Sequence, residues 1–150
     1  MTNLLNFVYK LLMLPVMQIS TYFLNADYKQ VFNGWLIIKP ELTINLNTKC
    51  SGLMFFCLVF CSLILLTFQK NKSSILTFLL NLFCAYFTTI IANSTRIILI
   101  YYVLVLAKKF LPFEINSFLH LLTGCIVFLL YYVPIIYFAQ KVLNVENIKK

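Results

Sequence analysis

The sequence predicts an all-α membrane protein, a polytopic bundle of about four transmembrane helices with one further interfacial or re-entrant helix. Two bulk properties support this fold class. Of the 150 residues, 62% are hydrophobic and only 11% are charged, whereas a soluble domain is about a quarter charged. The apolar residues also fall into runs close to the roughly 20 residues that a helix needs to cross a bilayer. At this length we expect residues 1–150 to form a single membrane-embedded domain.

The N-terminal segment, residues 4–24, is long enough to cross a hydrocarbon core of about 30 Å. It contains a lysine, a proline and a glutamine and lacks an Ala-x-Ala cleavage site, so we predict that it is retained and not removed as a signal peptide. Two interpretations stay open for it, a kinked span and an amphipathic helix in the interface. The next segment, residues 25–49, is the most polar, and its apolar parts at 31–32 and 35–38 form either short strands or an interfacial loop.

Residues 50–69 form a clear span, followed by a polar turn at 70–74. The chain has five cysteines and no Cys-x-x-Cys pair. Cys57 and Cys61 share a helical face with Cys50, which indicates a packed interior stripe more than a metal site. A metal site would need further ligands, and the chain has a single histidine, so we predict no metal and no cofactor.

Residues 75–107 form an apolar run interrupted by one charge, Arg96. As one helix this run would be about 50 Å long at 1.5 Å per residue, which is too long for a single span. We therefore predict a break at residues 93–95. In this interpretation 75–92 crosses the membrane, and 97–107 forms the interfacial or re-entrant helix.

The last predicted span is residues 117–138, and residues 140–150 form a polar tail. Successive spans alternate in direction, so the start of the second span, the end of the third and the start of the fourth meet at one membrane face. Cys50, Arg96 and His120 lie at these three positions. We therefore predict that the three side chains share one site.

The basic residues outnumber the acidic ones by 12 to 4, for a net charge of +8, and all but one are lysines. The lysines flank the predicted spans, where they meet anionic lipid headgroups. No basic run interleaved with aromatic residues is present, so the expected partner is the lipid bilayer and not a nucleic acid. Five of the lysines flank one face and five flank the other, so charge does not set the orientation.

Arg96 is the only arginine and His120 the only histidine. A charged residue within an apolar span is a functional candidate. A nearby cation favours the thiolate of Cys50, an imidazole carries the proton from the thiol to a leaving amine, and a guanidinium stabilises an oxyanion. Together the three residue types indicate acyl transfer through a thioester. Asn93 lies three residues before Arg96, on the same side of a continuing helix.

Three motifs in order carry a family resemblance: Cys50-Ser51-Gly52, Ala92-Asn93-Ser94-Thr95-Arg96 and His120-Leu121-Leu122-Thr123-Gly124. They resemble the exosortase/archaeosortase family over residues 49–137, and the chain resembles its short members, such as the type called exosortase K. Typical members have additional N-terminal spans. The resemblance implies a multi-pass protein of the bacterial inner membrane with its active site facing the periplasm or exterior.

The resemblance also implies an activity, that of a cysteine transpeptidase or thiol protease in protein sorting. Such a hydrolase cleaves exported proteins at a C-terminal sorting signal near the membrane anchor and passes them to an acceptor, a glycan or a lipid. It implies Cys50 as nucleophile, His120 as acid and base, and Arg96 as stabiliser of the oxyanion or thiolate. The supporting residues are Asn93, Ser51, Gly52 and Gly124. Two other classes stay open, a membrane thiol-disulfide redox protein and a non-enzymatic small membrane subunit whose polar residues join helices.

Overall fold

The computed structural model describes residues 2–31, 34–40, 42–47, 51–69, 74–110 and 116–148. The described elements in chain order are α1 (Thr2–Leu24), β1 (Asp27–Val31), β2 (Gly34–Lys39), β3 (Leu42–Asn47), α2 (Leu53–Gln69), α3 (Ile75–Phe110) and α4 (Asn116–Ile148). Most of the described chain is helical, as predicted. The predicted nucleophile, Cys50, lies outside the described residues.

Helix α1 ends in a hydrogen-bonded turn that leads into the sheet. Asn25 adopts a left-handed conformation with φ of 48°. Its N–H donates to the carbonyl of Tyr22 over 3.3 Å, and the N–H of Ala26 donates to the carbonyl of Thr21 over 3.1 Å. These two bonds satisfy carbonyls that the end of the helix would otherwise leave unpaired.

A three-stranded antiparallel sheet follows, in the order β1-β2-β3. Strand β2 contains the predicted strand at 35–38, so the strand interpretation of this part is confirmed and the loop interpretation is wrong. The predicted all-α class is also wrong here, and β3 was missed. Leu42, Ile44 and Leu46 alternate with polar residues in β3, a period of two that places the apolar side chains on one face of a sheet.

The apolar face of the sheet packs against α1 and α3. A single core joins the three elements, and its buried members are Met13, Val16, Met17, Leu24, Ile37, Ile44, Leu46, Ile90, Ile97 and Tyr101. The sheet therefore covers the part of α3 that follows Arg96.

Helix α3 is one continuous helix, so the predicted break at residues 93–95 and the separate helix at 97–107 are wrong. The segment contains no glycine or proline, and the Thr95 hydroxyl donates to the Ile91 carbonyl over 2.9 Å within the helix. Its 36 residues extend about 54 Å. The part of α3 that exceeds the thickness of a bilayer packs against the sheet. The helix therefore continues beyond the length of a single membrane span.

A serine side chain caps the N-terminus of each of the helices α2 and α3. The hydroxyl of Ser51 accepts the N–H of Leu53 at 3.3 Å, and the hydroxyl of Ser74 accepts the N–H of Thr77 at 3.2 Å. Each bond satisfies an N–H that has no partner within its helix. These caps explain why α2 and α3 begin within a few residues of their predicted starts.

Helix α3 is central and packs against α1, α2 and α4. Two helices in the described part of the chain, Ile75–Lys108 and Phe118–Asn144, are long and apolar enough to cross a membrane, and Leu53–Gln69 is a shorter apolar helix. Large apolar side chains such as Leu65, Phe83 and Leu129 are exposed on the outer faces. Helices that are apolar on their outer faces too are typical of a membrane protein. The count of four spans stays a prediction.

The predicted interior stripe of cysteines is wrong. The described cysteines are all unpaired and exposed on the outer surface: Cys57, Cys61, Cys84 and Cys125. The buried face of α2 instead consists of Phe55, Val59, Leu63 and Thr67. Phe55, Val59 and Leu63 make more van der Waals contact inside the bundle than a small thiol would, and the thiols face outward.

The predicted polar tail at 140–150 is helical over most of its length, because α4 continues through Pro134 to Ile148. The residues after 138 are mainly good helix formers such as alanine, glutamine, lysine and leucine. Their polarity therefore does not end the helix.

Candidate active site

Helices α3 and α4 bring two of the three predicted catalytic residues together. The Nη2 atom of Arg96 lies 3.3 Å from the Nδ1 atom of His120. A guanidinium only donates hydrogen bonds, so Nδ1 is the acceptor, and the neutral imidazole then carries its proton on Nε2. Two residues separated by 24 positions in the chain thus form one polar pair between the helices.

The side chain of Arg96 lies across a stripe of α4 formed by His120, Gly124 and Phe128. A Cβ atom on Gly124 would lie 2.9 Å from Nε and 3.3 Å from Cζ of Arg96. The missing side chain at Gly124 therefore lets the guanidinium lie directly against α4. Farther along the same stripe, Cζ of Arg96 lies 5.3 Å from the centre of the Phe128 ring, within the range of a cation–π contact.

Phe128 was not predicted as a site residue. Its ring stacks on Phe55 of α2, with centroids 4.4 Å apart and planes 11° apart, so it connects Arg96 to a third helix. The spacing of Phe128 from the predicted site residues His120 and Gly124 could have indicated it. Phe128 follows Gly124 by four residues, as Gly124 follows His120, and residues four apart share a helical face.

The start of α2 is held against α3 close to this pair. Gly52 has a φ of 75°, a conformation that glycine adopts without steric cost. A Cβ atom on Gly52 would lie 3.1 Å from Cγ2 of Thr89 and 3.2 Å from Nδ2 of Asn93. The predicted supporting residues Gly52 and Asn93 are therefore close together, and a larger side chain at position 52 would crowd Thr89 and Asn93 from a strained backbone conformation.

Ser51 and Asn93 are both buried, at 2% and 0% exposure. Asn93 precedes Arg96 by three residues, a rise of about 4.5 Å along the helix. Cys50 lies outside the described residues. Gly52, two positions after it, packs against Thr89 and Asn93, and Asn93 is about one turn of α3 from Arg96.

A second polar contact fixes α3 against α4 beside the site. The hydroxyls of Thr95 and Tyr131 lie 2.9 Å apart. This bond holds the two helices together on the side opposite the buried Asn93, so it limits relative rotation at the level of Arg96. Neither residue was predicted to have a role.

The guanidinium keeps free donor capacity. Among the described side chains, no hydrogen-bond partner is found for the buried Nε of Arg96. Arginine offers five N–H donors and stays charged, so it can donate to a carbonyl oxygen or an anion when the side chain turns away from α4. Within the described ranges, no three His, Cys, Asp or Glu side chains are grouped as metal ligands would be.

The fold and this pair define a polytopic helical membrane protein with an arginine and a histidine paired between two of its helices. The family model described as Transmembrane exosortase (Exosortase_EpsH) matches residues 1–137. The chain belongs to the transmembrane exosortase family. The match includes α1 and the sheet, which precede the part that carries the three motifs. No curated protein and no solved structure matches the chain.

Proposed function

We propose that this protein is a membrane cysteine transpeptidase or protease that cleaves exported proteins near a C-terminal anchor and passes them to an acceptor. Family membership supports a transpeptidase- or protease-like role. The observation that carries the proposal is the 3.3 Å contact between Arg96 and His120. It supplies a group that transfers protons and a group that stabilises negative charge, about one helical turn from Asn93, against which Gly52 of the Cys50-Ser51-Gly52 motif packs.

The proposed reaction has two stages. In the first, Sγ of Cys50 attacks the carbonyl carbon of the scissile peptide, and the thiol proton passes to His120. The carbon–nitrogen bond then breaks, and His120 gives the proton to the leaving amine, so a thioester remains. In the second stage an acceptor hydroxyl or amine attacks the thioester carbonyl, and its proton returns to the thiolate through His120.

Arg96 interacts in turn with the imidazole of His120 and with the oxyanion that forms on the substrate. In the resting structure its Nη2 donor occupies Nδ1 of His120, and a nitrogen that accepts this bond cannot take the thiol proton at the same time. When the guanidinium turns its donors to the developing oxyanion, Nδ1 becomes free to accept that proton. The carbonyl oxygen gains the charge as the thiol loses its proton, so one movement of Arg96 serves both events.

The proposed site faces the periplasm or exterior of a bacterial inner membrane. An exported protein that is anchored by its C-terminus presents the peptide before its anchor on that side of the membrane. The proposed acceptor, a glycan or a lipid, is reached from the same side. A thiol-disulfide redox protein or a non-enzymatic subunit would leave the contact between Arg96 and His120 without a chemical role.

The test compares cells that lack the protein after complementation with the wild type or with Cys50→Ala. Mass spectrometry of membrane and secreted fractions identifies exported proteins that retain their C-terminal anchors. We expect a precursor to accumulate with Cys50→Ala. Normal processing should persist in the four single alanine variants of the exposed cysteines, Cys57, Cys61, Cys84 and Cys125.

Two outcomes contradict the proposal. Complete processing by Cys50→Ala would exclude a thioester at that residue. Loss of processing in any of the four control variants, at normal membrane level, would show that a second thiol is essential, and this would favour the redox function.

A further inference from the structure

Strand β3 is an edge strand of the sheet, since β2 lies between it and β1. Lys39 and Leu42 pair across a two-residue connection, and such a closing pair exchanges both of its hydrogen bonds. The alternation that follows directs the backbone N–H and C=O groups of Thr43 and Asn45 away from β2. In the described part of the chain, no backbone group pairs with this outer edge.

The two edges of the sheet differ in how well they are protected. Proteins discourage unwanted pairing at an edge with charges, prolines or bulges. Strand β1 carries Asp27 and Lys29, whereas β3 has no charge and no proline, and its pairing with β2 is regular along its length. Thr43 and Asn45 are exposed. The β3 edge is therefore the one that can accept another strand.

The β3 edge is also close to the site. Cys50 follows the end of β3 at Asn47 by three residues, which span at most about 11 Å when fully extended. The sheet packs on Ile97 and Tyr101, which follow Arg96 on α3. A chain bound along β3 would thus lead toward the Cys50 motif.

We propose that the outer edge of β3 binds the substrate as an added β-strand. The bound partner is the extended segment of an exported protein that ends at the scissile bond, just before the membrane anchor. This inference rests on the proposed function. The segment runs toward Cys50 as β3 does, so the added strand is parallel to β3. The outward-facing backbone N–H and C=O groups of Thr43 and Asn45 form the hydrogen bonds to the substrate. Binding through backbone groups depends little on the sequence of the substrate.

The first test replaces the N–H of one outward-facing residue. Asn45→Pro removes an N–H that β2 does not use, and proline is tolerated in edge strands at such positions. Gln30→Pro is the matched control, because Gln30 pairs with Trp35 and its N–H faces the opposite edge by the same alternation. The readout is the rate at which each variant processes the precursor that accumulates with Cys50→Ala, relative to its level in the membrane.

We expect Asn45→Pro to process the precursor about tenfold more slowly, since an N–H donor is lost and the ring obstructs the incoming strand. Gln30→Pro should stay within about twofold of the wild type, because the far edge makes no substrate contact. Normal processing by Asn45→Pro, or an equal loss in Gln30→Pro, would overturn the edge proposal and leave the proposed function intact. If no precursor accumulates with Cys50→Ala, both proposals fail together.

A second measurement applies even if Asn45→Pro does not reach the membrane. Thr43→Cys is placed in a Cys50→Ala protein whose other four cysteines are serine, and single cysteines are moved along the precursor segment before its anchor. Disulfide cross-links at every second position support an added strand, because successive side chains of a strand point to opposite faces. Cross-linking without this alternation, or none at all, overturns the proposal.

Discussion

The substitution Gly124→Ala tests the contact between Arg96 and His120 without changing either side chain. The new Cβ would lie 2.9 Å from Nε of Arg96, whereas ordinary contact begins at 3.4 Å. The guanidinium must therefore retreat from α4 by about 0.5 Å. His120 is on α4 as well, so the same movement lengthens the 3.3 Å separation of Nη2 and Nδ1 beyond hydrogen-bonding distance.

We expect kcat/KM for precursor processing to fall by about 10- to 100-fold. Losses of this size follow when a catalytic group is displaced or an oxyanion donor is lost. The fold should persist, because alanine is about 1 kcal/mol more favourable than glycine inside a helix. The assay combines processing rate with membrane level and thermal unfolding in detergent. Cys125→Ala, at the exposed neighbouring position, is the control and should change none of these.

A double-mutant cycle separates this cause from altered helix packing. In an Arg96→Lys background there is no guanidinium for the new Cβ to displace, so Gly124→Ala should lower the rate by less than about threefold further. Wild-type processing by Gly124→Ala alone, at a normal membrane level, would refute the reasoning. An equally large further loss in the lysine background would show that the alanine acts through the packing of α4.

Two further predictions concern the charge and the orientation of the site. Arg96→Lys keeps the charge but loses the planar fork of donors, so processing should fall by about 100-fold or more while the protein is still inserted in the membrane. Near-normal processing by Arg96→Leu would contradict this and show that the arginine has only a structural role. An impermeant thiol reagent applied outside intact cells should label Cys50 in a protein whose other cysteines are serine. Labelling that requires permeabilised membranes would place the site on the cytoplasmic side and contradict outward sorting.

Local signals in the sequence predicted where the main helices begin. Ser51 and Ser74 accept N–H groups within two or three residues of themselves, so the information that begins α2 and α3 lies in adjacent residues. The period of two in β3 was equally local and was readable from Leu42, Ile44 and Leu46. It was missed because residues 25–49 form the most polar segment, in which the apolar residues of β3 stand singly between polar ones.

The course of α3 could not be predicted from length alone. A break at residues 93–95 is expected only if a helix longer than the bilayer must end at the membrane surface. In the structure Ile97 and Tyr101 are buried against the sheet, so the additional turns gain their stability from packing with distant residues. The outward position of Cys57 and Cys61 has a similar cause, since larger side chains on another face of α2 fill the core.

The sequence by itself indicated that the chain is a membrane protein and predicted that Arg96 and His120, on two consecutive helical segments, lie at one membrane face. Composition and the order of apolar segments suffice for this, because each span is set by residues close to it in the chain. Only the tertiary structure decided that the two side chains meet at 3.3 Å and that Gly124 and Phe128 shape the space around the guanidinium. Such distances depend on the rotation and approach of α3 and α4, which the packing of the whole bundle and its sheet determines.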